Sequence, residues 1–171
     1  MINSTQTRKN GFTLIELLIT TSLTVLLLLA ISSLFMTFLI GNSKTNTKKT
    51  VKEEGYYALS QMEFLIRNSQ YIDETVTPCM PEMMSIAIVS KDGGSTILTA
   101  LPDAADNSKI KIASNEAFLT SGAVTLDLEN SRFDCSGSVG NRQVGIRFGL
   151  EKTTPDGIVS EQFNSIVSLR N

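Results

Sequence analysis

Few residues in this chain are equipped for chemistry. There is no His among the 171 residues, which removes the side chain most often used as a neutral-pH general base and as a metal ligand. Ser and Asp are plentiful, yet a Ser-His-Asp triad cannot be built without His. The expectation is a protein that is not an enzyme. Two cysteines, Cys79 and Cys135, both fall in the polar part of the chain. If that part lies outside the cytoplasm, they form a candidate disulfide, worth roughly 4 kcal/mol in the chain-entropy view. Asp103, Asp106 and Asn107 share one loop and carry the oxygen ligands that Ca²⁺ prefers. Their spacing fits no defined calcium loop, so a solvated turn is the favoured reading and no cofactor is expected. The most unusual chemical feature is Glu16, the one charge in the apolar run 12–40. A carboxylate there costs about 2.5–3.5 kcal/mol at the centre of a membrane helix and less near an end, so it needs a partner. Just before the run stand Arg8, Lys9 and Gly11.

The elements that must position these residues follow from the apolar pattern. The run 12–40 is 29 residues without Pro. About 20 such residues cross a bilayer as a helix, the one conformation of a single segment that satisfies its own backbone in lipid. Arg8 and Lys9 hold the N-terminus in the cytoplasm and direct the rest outward. The run is too long for an ordinary secretory signal and no A-x-A site closes it, so it reads as a retained anchor. Beyond Gly41, a soft spot, helical periodicity returns. Val51, Leu59, Met62 and Ile66 mark one apolar face, with Lys52, Glu53, Ser60, Glu63 and Arg67 elsewhere. The helical pattern fades at about Tyr71.

From Thr75 onward the period falls to two. Segments 84–90 and 95–101 flank Lys91-Asp92-Gly93-Gly94, a hairpin signal. Further strands are expected at 109–113, 123–129, 144–150 and 158–170, with a turn at 153–157. Arg147 lies on the exposed face of its strand and reads as a solubilising edge charge. Ser136-Gly137-Ser138-Val139-Gly140 lacks the Lys-Ser/Thr of a phosphate loop. The net charge of −2 argues against a protein that tracks nucleic-acid phosphates.

The stretch Arg8-Lys9-Asn10-Gly11-Phe12-Thr13-Leu14-Ile15-Glu16-Leu17-Leu18 resembles the leader and cleavage site of type IV prepilins and of the pseudopilins of type II secretion. The resemblance implies that a prepilin peptidase cuts after Gly11 and methylates the new amino group of Phe12. It implies that Glu16, fifth in the mature chain, sets subunit register by meeting the Phe12 ammonium of a neighbour and takes part in methylation. Two departures stand out. The run 12–40 lacks the Pro of many major pilins, and the candidate bridge begins just after the helix instead of closing a C-terminal loop. The stretch Tyr57-Ala58-Leu59-Ser60-Gln61-Met62-Glu63-Phe64-Leu65-Ile66-Arg67-Asn68 and the ending Ser165-Ile166-Val167-Ser168-Leu169-Arg170-Asn171 are similar to PilW/GspJ-type minor pilins.

The expected organisation is a basic leader at 1–11, a transmembrane and filament-core helix at 12–40, its amphipathic outer half at 41–73, and an extracytoplasmic β domain at 74–171. The fold class is α+β, a long N-terminal hydrophobic helix packed at its C-terminal half on an antiparallel β-sheet. The resemblance implies a single-pass inner-membrane precursor that moves into a cell-surface or periplasmic filament. Its partners would be the prepilin peptidase, other major and minor pilins through the N-terminal helix, the inner-membrane assembly platform and, before assembly, membrane lipid. A minor pilin that initiates or caps assembly is the first expectation, and a major pilin or a secretion or competence pseudopilin the second. A reading of a different class is an uncleaved, membrane-anchored extracytoplasmic binding module.

Overall fold

The computed structural model of the chain describes residues 11–138, 141–155 and 157–169. The fold is α+β: one long, apolar N-terminal helix whose C-terminal half packs on antiparallel sheets. Helix α1 spans Leu14–Asn68. It passes through Gly41 without interruption, so the expected soft spot does not break it. It starts at Thr13, whose Oγ1 accepts a hydrogen bond from the Glu16 N–H at 3.3 Å. Thr at the N-cap with Glu three residues on is the capping-box arrangement. Two compact units divide the chain within this helix, one ending at Ser43 and the other beginning at Lys44.

In the first unit every described residue is exposed. Its large apolar side chains range from 46% exposed at Ile40 to 83% at Leu14. The hydroxyls of Thr20, Thr21, Ser22, Thr24, Ser33 and Thr37 all donate to backbone carbonyls three or four residues back. These hydroxyls are therefore satisfied within the helix, as a helix that crosses an apolar medium requires.

The second unit holds the core. Val51, Gly55, Ala58, Leu59, Met62 and Ile66 are buried along one face of α1, the 3.6-residue repeat read from the sequence. Helix α1 ends at Asn68, five residues short of the expected limit at 73, because Ser69–Ile72 is a strand, β1. Strands β2 (Ile86–Ser90), β3 (Ser95–Pro102), β4 (Ile110–Ser114) and the two-residue β5 (Ala117–Phe118) follow, and β1 to β5 form one antiparallel sheet in chain order. The β2–β3 hairpin turns where the sequence places it: the Gly93 and Ser90 amides bond to Ser90 and Gly94 carbonyls at 3.0 and 2.8 Å. Gly93 has φ +85, a conformation that suits glycine.

Strands β6 (Thr125–Ser136), β7 (Gln143–Thr154) and β8 (Gly157–Ser168) form a second, separate antiparallel sheet with β7 at its centre. The single expected sheet is thus two. The expected strand at 123–129 is the first part of β6, which bulges between Asp127 and Arg132 and runs on to Ser136. Val144, Ile146, Phe148 and Leu150 of β7 and Phe163 and Val167 of β8 are buried in one cluster with Met62, Ile66, Ile88, Leu98 and Ile112. Each apolar side chain so buried stabilises by about 1.5–3 kcal/mol.

Candidate functional site: the helix N-terminus and its apolar surface

Gly11, Phe12 and Glu16 stand at the start of α1, all exposed. A Cβ added at Gly11 would meet nothing within 4 Å. No described atom would obstruct a side chain at this position. Phe12 is 81% exposed. Glu16 lies in the first turn, where its charge favours the positive end of the helix dipole. The expected leader charges Arg8 and Lys9 lie outside the described residues. Leu14–Asn68 is the one helix, among the described residues, long and apolar enough to cross a membrane.

Cys79 and Cys135 form a disulfide with Cα atoms 5.1 Å apart. It fastens the loop after β1 to β6. Around it the Cys135 N–H donates to the Met80 carbonyl at 3.0 Å, and Met83 and Phe133 exchange two backbone hydrogen bonds at 2.8 Å. This loop is thus sewn to the second sheet just before its chain enters the first one as β2.

The structure uses Asp103 and Asp106 within the protein. Asp103 is buried and its carboxylate lies 2.7 Å from the Lys111 Nζ, also buried. The Lys111 hydrogen bond, with help from the Ala105 N–H, holds the Asp103 carboxyl below the usual range. Lys111 also sits over the Phe118 ring at 4.7 Å. Asp106 is held low by the Ser108 hydroxyl and N–H. Asn107 is exposed. Among the described residues no three His, Cys, Asp or Glu side chains converge as metal ligands.

Arg147 is not on a sheet edge, because β7 lies between β6 and β8. Its guanidinium lies 2.7 Å from Glu82 and 3.7 Å from Asp134, while Arg132 approaches Glu82 at 3.7 Å. Glu82, at positive φ (60°), donates its own N–H to Asp134 at 2.9 Å. Sequence reasoning missed this cluster. The residues belong to three separate segments, and no local spacing connects them.

No protein-family model, curated protein or solved structure matches the chain. A functional reading therefore rests on the residues and on the arrangement described above.

Proposed function

We propose that this chain is a prepilin: a non-enzymatic subunit of a type IV pilus-like filament, of the PilW/GspJ type that starts or caps assembly. The observation that carries the reading is the wholly exposed apolar surface from Phe12 to Ile40 on a helix that runs unbroken to Asn68. A soluble protein does not leave such a surface bare. Lipid covers it before assembly and like helices from other subunits cover it afterwards. Hydroxyls already bonded within the helix make that exchange cheap in polar terms. The order Arg8, Lys9, Gly11, Phe12, Glu16 supports the view that a peptidase reads Gly11. In this reading Arg8 and Lys9 orient the precursor, cleavage after Gly11 removes them, and the new Phe12 ammonium meets a neighbour's Glu16.

Coexpression with a prepilin peptidase tests this. Mass spectrometry of the purified chain is expected to show loss of 1–11 and a methyl group on Phe12. An intact leader would sink the reading and leave the anchored binding module. Replacing Gly11 by Val is expected to block processing.

A further inference from the structure

The second unit contains a cavity of about 240 Å³ between its two sheets. Met62 of α1, Ile112 of β4, Phe133 of β6 and Ile146 of β7 line it, and all four are buried. Protein interiors are close-packed, and a cavity of roughly 150 Å³ lined by apolar side chains is large enough to bind a benzene ring. This one is larger and is open to the surface.

The mouth has a different character. Met84 and Leu128 form an apolar lip, 61% and 38% exposed. Arg132 lies beside them, fixed by hydrogen bonds from its Nη1 to the Leu128 and Ser131 carbonyls. An apolar chamber with an apolar lip and the guanidinium groups of Arg132 and Arg147 in its lining, both also facing Glu82, suits a slender molecule with a greasy tail and a polar or anionic head. The volume excludes a helix or a folded partner. We infer that this cavity binds the acyl chain of a small amphiphile, with its head group at Arg132. A free fatty acid and a phospholipid both present that chemistry.

The full chain held in a fluorinated surfactant that supplies no lipid acyl chain, with Ile and Met methyl groups labelled with ¹³C, tests this with sodium octanoate and, separately, monomeric dihexanoyl phosphatidylcholine. Saturable shifts are expected at the Met62, Met84, Ile112 and Ile146 methyls. Ile158 and Ile166, exposed on β8, should stay still. A response to octanoate alone assigns a free carboxylate ligand, and a response to the phospholipid assigns lipid; either supports an acyl site. Ala100 also lines the cavity, so Ala100→Leu should fill it and weaken binding by roughly tenfold or more. Leu128→Asp puts a charge on the lip of an exposed strand position and should weaken octanoate binding without disturbing the β8 methyl signals. No shift at the four cavity methyls with either probe overturns the assignment. So does undiminished binding in Leu128→Asp.

Discussion

The ring of Phe163 lies directly over Gly55, so that a Cβ built on the glycine would fall 2.1 Å from the ring. Phe163 also stacks on Phe148 at 5.1 Å and meets Tyr56 edge-on at 5.4 Å. The ring cannot simply swing away, because two other rings hold it. Glycine inside a helix costs about 1 kcal/mol relative to alanine, and here that cost is outweighed by close approach of helix to sheet. Gly55→Ala should therefore destabilise by about 1–3 kcal/mol, the usual penalty for overpacking, despite its gain in helix propensity. Gly41, in the same helix, has nothing within 4 Å of its notional Cβ, and Gly41→Ala should be neutral or slightly stabilising. Paired thermal melts of the two variants check the contrast. Equal melting temperatures would show that Phe163 does not hold the helix in place.

The disulfide should matter for the same unit. Cys79–Cys135 closes a loop across a sequence separation of 56. Its loss, by reduction or as Cys79→Ala with Cys135→Ala, is expected to cost about 2–5 kcal/mol. Denaturant unfolding with and without reductant measures this. An unchanged midpoint would mean that the hydrogen bonds of Met80, Glu82 and Met83 to β6 suffice to fasten the loop.

Acid should weaken the fold in a defined direction. The Asp103, Asp106, Asp127 and Glu161 carboxyls are all held below their ordinary values, chiefly by hydrogen bonds from Lys111, Ser108, Asn130 and Lys48 respectively. A lowered folded-state pKa means that the unfolded chain binds protons more readily. The stabilisation is then fully present above the unfolded values, about 4, and is lost as pH falls through the lower folded values. Melting temperature should be flat from neutral pH to about pH 5 and should fall below about pH 4. Asp103→Asn should flatten part of that fall and lower stability at neutral pH, because it leaves the buried Lys111 charge without its carboxylate. A melting temperature insensitive to acid would contradict the Asp103–Lys111 pairing.

Much of this architecture was legible in the sequence, for local reasons. The buried face Val51, Leu59, Met62 and Ile66 repeats with the helix period, and Gly93 marks a turn that suits glycine. What was not legible depends on distant partners. Strand β1 follows the helix directly, with no Pro or Gly to mark the change. Strand β5 has two residues and earns its assignment only by pairing with β4. Two sheets instead of one is a matter of long-range pairing, as is the central place of β7 that gives Arg147 its acidic partners. Gly55 looks like a weakness in the helix until Phe163, far along the chain, is placed against it. At the N-terminus, Thr13 and Glu16 carry a capping-box spacing that is readable in the sequence yet is overshadowed there by the leader motif.

If the chain is the proposed prepilin, Glu16 has two separable roles, and substitutions divide them. As the third residue after an N-cap Thr, with its own N–H already bonded to Thr13 Oγ1, Glu16 is placed to support the first helical turn, a role that Gln fills almost as well. As the partner of a neighbour's Phe12 ammonium, it must carry a charge, which Gln lacks. Glu16→Ala is expected to leave leader cleavage intact and to reduce filament incorporation or methylation. Glu16→Gln decides the cause: incorporation as poor as in Glu16→Ala assigns the defect to the missing charge, whereas recovery to the unsubstituted level assigns it to capping. Immunoblots of sheared filaments against the membrane fraction, with mass spectrometry of the N-terminus for cleavage and methylation, give both readouts from one culture. Recovery in Glu16→Gln would overturn intersubunit pairing through Glu16 while leaving processing at Gly11 untouched.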